Sequence, residues 1–267
     1  MKHYDITSTW TNTLQFREAE RMNIAISMIP KECNSIIDLG SGNGELFYAI
    51  ENSKNSIKKI KCLGYERSKI AVKLKKCKSK IKIRKNFKPI KNESQSDIVV
   101  SMAVLEHLKE TEIKSICKLI DKISKKYLLI NVPYKEKRVN VKCNYCNCCF
   151  DPYWHLQSFN IATLQNFFPK WSIKKHYLLK TKNSLLDHFI RNFRIVLPAK
   201  YGFQKVCPLC DKISHETKTI YNKENNKSKF LSQLIKQIFS KILKVLKFLE
   251  ISSVSEVFIL FERNKKK

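Results

Sequence analysis

A short glycine-rich turn, placed directly after an apolar run, limits the fold of this chain more than any other feature. The run Ser35-Ile36-Ile37 leads into Asp38-Leu39-Gly40-Ser41-Gly42-Asn43-Gly44, and a helical pattern begins near Glu45. Glycine is needed where the backbone takes conformations closed to other residues, or where a ligand lies against it. A strand, glycine turn and helix in this order is typical of nucleotide-like ligand sites in open α/β sheets. The sequence therefore predicts an α/β fold with a binding site at this turn.

The spacing of the glycines indicates which ligand the turn binds. A dinucleotide fingerprint is G-x-G-x-x-G, which presents backbone amides to a pyrophosphate. Here the third glycine comes one residue early, and Glu45 stands where the fingerprint has its last glycine. A carboxylate at a helix N-terminus favours a cationic ligand over an anionic one. The chain also lacks G-x-x-x-x-G-K-[ST], so the pattern disfavours a nucleoside triphosphate.

An acidic residue follows the second predicted strand. Residues 59–65 have a strand pattern that ends at Glu66, 22 residues beyond Gly44. An acid at the tip of this strand can accept both hydrogen bonds of a ribose diol. The alternative role of Glu66 is to cap a helix, since residues 67–78 have a helical pattern. Its pairing with the glycine turn favours the ligand-binding role.

Two further strands complete a recognisable order of motifs. Residues 96–101 are apolar and β-rich and lead into Val104-Leu105-Glu106-His107-Leu108, whereas residues 126–132 form a strand that ends before Pro133-Tyr134. The glycine turn resembles the cofactor motif of class I S-adenosylmethionine-dependent methyltransferases. The strand followed by V-L-E-H-L resembles the fourth-strand region of their small-molecule group.

This resemblance implies an α/β fold with a Rossmann-like, seven-stranded, mostly parallel sheet. It also implies an enzyme that uses S-adenosylmethionine, which carries a sulfonium and an adenosine but no phosphate. That chemistry agrees with the glycine spacing. The cofactor-binding residues that the resemblance implies are Asp38, Gly40, Ser41, Gly42, Gly44, Glu66, Met102 and Leu105.

Methyl transfer to a hydroxyl requires a base that takes the acceptor's proton. The candidates are Glu106, His107, Tyr134 and His155, which lie at predicted carboxyl ends of strands or in the loop above them. We favour His155 as the base or as a group that orients the acceptor. Each candidate also has a structural interpretation, because His155 can pack beside a metal site and Glu106-His107 can open a helix.

Two C-x-x-C pairs predict a metal site. Cys143 and Cys146 form the first pair, and Cys207 and Cys210 form the second, with 60 residues between the pairs. Two such pairs supply the four thiolates of a tetrahedral zinc site. Because the gap is longer than in a compact zinc ribbon, the site is predicted to join distant segments in a structural role. A redox role is disfavoured, since neither pair opens a thioredoxin-like unit.

The cysteines next to the first pair offer more than one choice for one of the four zinc ligands. Cys148 or Cys149 can replace Cys146 as the fourth ligand. Asn147 and Asp211 follow the second cysteine of each pair, where a left-handed residue is often needed and where Asn and Asp are well tolerated.

The segment around the first cysteine pair extends the resemblance. Residues 143–159 read CNYCNCCFDPYWHLQSF. They resemble a bacterial and archaeal subgroup of class I methyltransferases with a C-x-x-C, an H-L-x-S-F stretch and a later C-P-x-C. This subgroup implies acceptors in surface-glycan or lipid-linked sugar pathways. The usual glycines of the cysteine turns are replaced here by Asn147 and Asp211.

The remaining segments follow the βαβ rhythm of a parallel sheet. Helices are predicted at residues 16–29, 45–52, 67–78, 109–124 and 160–168, and a loop at 135–158. Residues 171–180 and 254–263 are predicted as an antiparallel pair of strands at the sheet edge. The predicted domains are a core at 1–180, a helical and zinc-binding insertion at 181–252, and a last strand with a basic tail at 253–267.

Residues 230–249 form an amphipathic stretch in which one helical stripe is apolar and lysines lie elsewhere. A helix packed on the core is the preferred interpretation. The alternative is a basic helix that contacts a membrane surface.

Composition narrows the function further. The net charge is +29, but only eight of the 52 basic residues are arginine, the residue that reads phosphates in fixed geometry. Nucleic acid is therefore a less favoured partner. Ten cysteines and the absence of a long apolar run or signal peptide predict a cytoplasmic protein with metal-bound or free thiols.

The sequence thus predicts a methyltransferase that acts on oxygen or nitrogen of a small molecule, a glycan or a lipid-linked sugar. One alternative is an RNA methyltransferase that holds its substrate with the zinc module and the lysine-rich surface. The other is a non-catalytic scaffold with the same sheet.

Overall fold

The computed structural model describes residues 15–53, 59–87, 94–198, 207–210, 212 and 249–264. Its helices are α1 (Gln15–Met28), α2 (Glu45–Glu51), α3 (Lys69–Lys73), α4 (Glu110–Ile123), α5 (Ile161–Phe167) and α6 (Leu185–Asn192). Its strands are β1 (Ser35–Leu39), β2 (Lys61–Glu66), β3 (Lys80–Ile83), β4 (Ser96–Met102), β5 (Ser124–Pro133), β6 (Asn140–Lys142), β7 (Cys149–Phe150), β8 (Trp171–Ser184), β9 (Val196–Pro198) and β10 (Glu250–Arg263). A turn of 3-10 helix covers Leu105–His107.

Seven of these strands form one sheet in the order β3-β2-β1-β4-β5-β10-β8. β1 is parallel to both β2 and β4, and β5 is parallel to β4. β10 is antiparallel to β5. The predicted Rossmann-like, mostly parallel α/β sheet is therefore confirmed. The strand order reverses between β1 and β4, and in open α/β sheets ligands bind at the carboxyl ends of the strands on either side of that point.

Helices cover both faces of the sheet. Alternate residues of β1 belong to the hydrophobic cores on opposite faces of the sheet. Ile37 packs with α4 on one face, and Ile36 packs with α1 and α2 on the other. Val99 and Ile98 of β4 divide in the same way. Strands that are buried on both faces appear as continuous apolar runs in the sequence. This explains why β1, β4 and β5 were predictable.

The helix predicted at residues 67–78 is wrong in its second half, because α3 ends at Lys73. The backbone N–H of Lys76 donates to the carbonyl of Asn43 at 2.9 Å. The Glu51 carboxylate then accepts the N–H groups of Lys78 and Ser79. These bonds to α2 and the turn before it replace the helical ones, and the chain enters β3 instead.

The two strands at the far side of the sheet are longer than predicted. β8 continues to Ser184, and β10 begins at Glu250. Their contacts run in opposite directions along the chain, since Ser172 Oγ donates to the carbonyl of Glu262 and Ser255 Oγ to that of Leu179. The two strands are therefore antiparallel, and β8 is the edge strand.

The described residues belong to two compact units. The first comprises those within 1–136, 155–179 and 255–267, and the second those within 137–154 and 180–254. The second unit contains a three-stranded sheet in the order β7-β6-β9. The predicted amphipathic helix at 230–249 lies outside the described residues, apart from Leu249. Among the helices that are described, none has the length and apolar character needed to cross a bilayer.

Candidate functional site

The glycine turn after β1 has the backbone that its sequence predicted. Gly40, Gly42 and Gly44 all have positive φ angles, of 81°, 55° and 85°. A Cβ atom on Gly40 would lie 2.3 Å from Cγ2 of Val104, which belongs to the loop after β4. Gly40 therefore allows the loops that follow β1 and β4 to pack closely.

The Glu66 carboxylate joins the end of β2 to this turn. Its Oε2 atom accepts the N–H of Gly42 at 2.9 Å. Its Oε1 atom accepts the N–H groups of Arg67 at 2.7 Å and of Ser68 at 2.8 Å. The predicted ribose-binding acid and the predicted glycine turn thus lie together at the sheet's carboxyl edge. Glu66 also performs the capping role that its sequence position allowed.

Two polar side chains at this turn are buried without a hydrogen-bond partner. They are Oδ1 of Asp38 and Oγ of Ser41. Burial, together with the nearby charge of Glu66, raises the pKa of Asp38 from 3.8 to about 8. Buried polar atoms are rarely left unsatisfied, so these two atoms indicate a ligand contact. A cationic group beside Asp38 would stabilise its ionised form.

Because the pKa of Asp38 is raised, we expect the protein to lose stability as pH rises. Between about pH 4 and pH 8 the native state keeps a proton that the unfolded chain releases, so the free energy of unfolding falls. The Asp38→Asn variant has no carboxyl group at this position, so it lacks this fall in the free energy of unfolding. The melting temperature of this variant minus that of wild type is expected to be larger at pH 8.5 than at pH 5.

Thermal unfolding over this pH range measures the effect. Asp97→Asn is the control, because burial acts to raise the pKa of Asp97 but hydrogen bonds from Asn34 and Ser35 lower it below its ordinary value. Asp97 is therefore ionised in both the native and the unfolded state from pH 5 to pH 8.5, and the melting difference of this variant from wild type is expected to stay constant. A melting difference between wild type and Asp38→Asn that stays constant from pH 5 to pH 8.5 would contradict the prediction.

Three of the four predicted catalytic residues lie together. The potential ligand atoms of Glu106, His107 and His155 are all within 4.8 Å of one another. The two imidazole rings meet edge to face, with their centroids 4.9 Å apart. The carbonyl of Glu106 accepts the N–H groups of Leu156 at 2.6 Å and Gln157 at 3.1 Å. These bonds fasten the segment after His155 to the turn that follows β4.

Charge and burial set the chemistry of this cluster. Glu106 is only 1% exposed, and its Oε2 atom has no hydrogen-bond partner. Burial raises the pKa of Glu106 to about 7, although the charges of His155 and Arg21 act to lower it. Nδ1 of His155 lies 2.5 Å from Oε2 of Glu136. Sequence reasoning missed Glu136, which has no motif of its own and is recognisable only from its place just after β5.

The fourth predicted catalytic residue, Tyr134, is held at the end of β5 by backbone contacts. Its N–H donates to the carbonyl of Ser255 at 2.9 Å, and it forms a β-bridge with Phe159. Its ring packs against the core, and Nζ of Lys135 lies 5.4 Å from the ring centroid. The structure therefore places Tyr134 at the same edge of the sheet but in a different environment from Glu106.

The two remaining predicted cofactor residues follow the fourth strand. Met102 ends β4 and is partly buried against the core on one face of the sheet. Leu105 is fully buried within the core on the other face. Both lie beside the point where the strand order reverses. Leu105 is the more deeply buried of the two and therefore contributes more to the core.

A partly buried ion pair near this edge was also missed. Nε of Arg21, on α1, donates to both carboxylate oxygens of Glu256 at 2.8 and 2.9 Å. Asn131 Nδ2 donates to the same carboxylate at 3.0 Å. The two charged residues are 235 positions apart in the chain, and no local pattern relates them.

The four cysteines of the two C-x-x-C pairs form one cluster in the second unit. The sulfurs of Cys143, Cys146, Cys207 and Cys210 lie within 4.8 Å of one another. Sγ of Cys143 is 3.8 Å from Sγ of Cys210, and Sγ of Cys146 is 3.5 Å from Sγ of Cys207. In a tetrahedral site with Zn–S bonds of about 2.3 Å, neighbouring sulfurs are about 3.8 Å apart. The donor set and its spacing therefore fit zinc.

The backbone around the first pair supports this arrangement. Asn147 has a φ of 58°, the left-handed conformation that was predicted for it. Asp211, its predicted counterpart, lies outside the described residues. Cys149 is exposed and pairs with Lys142 across the β6–β7 hairpin. Cys148 accepts the N–H of Cys143 through its carbonyl, and its sulfur is not among the four clustered ones.

Comparison with known proteins gives a clear answer at the level of fold. No protein-family model matches the chain, and no curated protein sequence does so. A SAM-dependent methyltransferase from Archaeoglobus fulgidus matches with a TM-score of 0.50 at 16% identity, over 96% of this chain and 97% of that one. The YcgJ protein of Bacillus subtilis matches with a TM-score of 0.50 at 11% identity, over 93% and 99% of the two chains.

A third solved structure contains the Trm112 methyltransferase activator of Haloferax volcanii together with a protein described as a methyltransferase. It matches with a TM-score of 0.52 at 10% identity, over 98% of this chain and 95% of the other. The predicted fold is therefore confirmed: the chain has the fold of class I S-adenosylmethionine-dependent methyltransferases. The resemblance of residues 143–159 to a cysteine-containing subgroup stays a prediction.

Proposed function

We propose that this chain is a methyltransferase that moves a methyl group from S-adenosylmethionine to an oxygen or nitrogen atom of its acceptor. The observation that carries the proposal is the group of buried, unsatisfied polar atoms around the glycine turn. These are Oδ1 of Asp38 and Oγ of Ser41, beside the Glu66 carboxylate. They lie where the strand order reverses, the position at which open α/β sheets bind ligands.

The residues of this turn fit the cofactor. Asp38 and Ser41 would accept hydrogen bonds from its ammonium group, and Glu66 would accept those of its ribose hydroxyls. Gly40 and Gly42 have no side chain, so the backbone can approach the ligand closely, and glycine also allows their positive φ angles. When bound, S-adenosylmethionine supplies an electrophilic methyl group on its sulfonium.

On the acceptor side, His155 is the proposed base or acceptor-orienting group. The Glu136 carboxylate, 2.5 Å from Nδ1 of His155, fixes the orientation of the imidazole. Glu106, which is buried, and His107 lie beside it and complete a polar cluster after β4. Holding the acceptor in line with the methyl group supplies a large part of the catalysis in such a displacement.

The proposed acceptor is a small molecule, a glycan or a lipid-linked sugar. This choice rests on the resemblance of residues 143–159 to the glycan-associated subgroup. RNA is the second candidate, favoured by a net charge of +29. A non-catalytic scaffold is disfavoured, because a fold with no ligand gains nothing from leaving Asp38 and Ser41 buried and unsatisfied.

We further propose that Cys143, Cys146, Cys207 and Cys210 hold a structural zinc ion. The support is the spacing of the four sulfurs, together with backbone hydrogen bonds that favour the thiolate of Cys143. Hydrogen bonds from the backbone of Cys146 and Tyr145 lower the pKa of Cys143 to about 7, although burial acts to raise it. With four thiolates the site has no open position for a substrate, which is typical of structural zinc.

Methyl transfer from radiolabelled S-adenosylmethionine to separated lipid, glycan and RNA fractions tests the function. We expect label in the glycan or lipid-linked fraction with wild-type protein, and none above background with Glu66→Gln. Label confined to RNA, with a steep dependence on salt, would support the second candidate. Failure of wild-type protein to bind the cofactor in calorimetry would refute the proposal and favour a scaffold.

A further inference from the structure

We infer that Glu106, His107 and His155 bind a divalent metal ion at the end of β4, separate from the cysteine cluster. Their potential ligand atoms lie within 4.8 Å of one another. Metal bonds of about 2.0–2.2 Å place donor atoms roughly 3 to 4 Å apart, so small side-chain rotations would complete the site. Two imidazoles and a carboxylate suit Mn²⁺, Fe²⁺ or Zn²⁺.

The strongest independent sign of a ligand is Glu106 itself. Its side chain is buried, with 1% of the residue exposed, and its Oε2 atom has no hydrogen-bond partner. Burying a carboxylate oxygen that has no hydrogen-bond partner is costly, and a cation that binds this oxygen offsets the cost. The charge of Arg21 acts on Glu106, but its Nε atom donates to Glu256, so Arg21 supplies no hydrogen bond to Oε2 of Glu106.

The Glu136 carboxylate lies where a group that orients a metal-binding histidine is expected. Metal-binding histidines usually donate their other ring N–H to a carboxylate, which fixes the tautomer and orients the ring. Nδ1 of His155 lies 2.5 Å from Oε2 of Glu136 in this way. With the proton on Nδ1, the lone pair of His155 is on Nε2, the atom that would bind the metal.

The backbone holds these side chains in place. The Glu106 carbonyl accepts N–H groups of Leu156 and Gln157, so the two segments that supply the ligands are joined directly. Three of the five non-glycine residues with positive φ among the described residues are Ala103 at 51°, Lys135 at 48° and Trp154 at 60°. They lie shortly before Glu106, Glu136 and His155 along the chain. Non-glycine residues with positive φ are costly and concentrate at functional sites.

The role of this metal rests on the proposed function. A divalent ion would bind an acceptor hydroxyl and lower its pKa, so that the hydroxyl would release its proton to water. In this arrangement His155 orients the acceptor through the metal and is not the base. The deprotonated acceptor oxygen would then form a bond to the methyl carbon as the carbon–sulfur bond breaks, and sulfur would keep the electron pair. The products are a methyl ether and a neutral thioether. The site therefore indicates a hydroxyl acceptor, that is, O-methylation.

Binding of Mn²⁺, followed by electron paramagnetic resonance of the free ion, tests the site in the full-length protein. Mn²⁺ is a suitable probe because thiolate clusters prefer softer ions and do not compete for it. We expect one Mn²⁺ per wild-type chain. Glu106→Gln, His107→Ala and His155→Ala are each expected to weaken binding about tenfold or more.

His176→Ala is the matched control, because His176 is an exposed histidine on β8. It is expected to bind Mn²⁺ like wild type. Glu106→Gln keeps the shape of the side chain and removes a buried charge, so it is expected to fold at least as stably as wild type. Absence of Mn²⁺ binding by wild type, or equal binding by all variants, would overturn the inference. Calorimetry with S-adenosylmethionine separates this result from failure of the proposed function, since the cofactor residues are unchanged.

Discussion

Replacing Glu66 by glutamine is expected to weaken the binding of S-adenosylmethionine by about 100-fold. The carboxylate is proposed to accept two hydrogen bonds from the ribose, and hydrogen bonds to a charged acceptor contribute about 1.5–3 kcal/mol each. Loss of about 3 kcal/mol corresponds to a factor of about 100 in the dissociation constant. The variant also presents an amide group to the N–H of Gly42, which disturbs the turn itself. Titration calorimetry with the purified protein measures the effect.

Glu51→Gln is a matched control for this experiment. Glu51 is also a carboxylate that accepts several backbone N–H groups, from Lys78 and Ser79, but it lies at the opposite end of α2 from the glycine turn. Both variants are expected to lose stability to a similar extent, and only Glu66→Gln to lose the cofactor. Equal cofactor affinity in the two variants would show that Glu66 acts as a helix cap alone.

The parts of the fold that the sequence predicted are those where local pattern and burial agree. β1, β4 and β5 are covered on both faces and therefore appear as apolar runs. β3 has no such signal. It is an edge strand in which two lysines alternate with isoleucines, and among its four residues only Ile81 is even partly buried. Its pairing with β2 is fixed by tertiary contacts that no short window contains.

The same distinction applies to the candidate site. Residues carried by a motif were predictable, as with the glycine turn, Glu106-His107 and the cysteine pairs. Glu136 and the pair of Arg21 with Glu256 were not, because each acquires its role from a partner in another part of the chain. Burial is the largest cause of the raised pKa of Glu106, whereas Arg21 acts to lower this pKa and Glu136 acts to raise it. Glu136 also contacts Nδ1 of His155. Charged residues that act on such a site from distant parts of the chain are therefore harder to predict from the sequence than the residues that belong to a motif.

Exchange of both Cys207 and Cys210 for serine is expected to remove one zinc ion per chain and to unfold the second unit. Structural zinc contributes apparent binding free energies of about 10–16 kcal/mol in small zinc-binding peptides, far more than a hairpin as short as β6–β7 gains by itself. The buried cluster there consists largely of metal-binding candidates, with Val141, Phe150 and Trp154 as its main apolar members. Metal analysis and limited proteolysis within residues 137–154 measure the two effects.

Single serine exchanges identify the fourth ligand. Because the sulfur of Cys146 lies 3.5 Å from that of Cys207, Cys146→Ser is expected to lower zinc content sharply. Cys149→Ser is the matched control, since Cys149 is exposed at the hairpin, and it is expected to keep its zinc. Cys148→Ser tests the remaining alternative and is also expected to keep it. Zinc content unchanged in the double exchange would show that the four sulfurs cluster as free thiols, and the second unit would then need another source of stability.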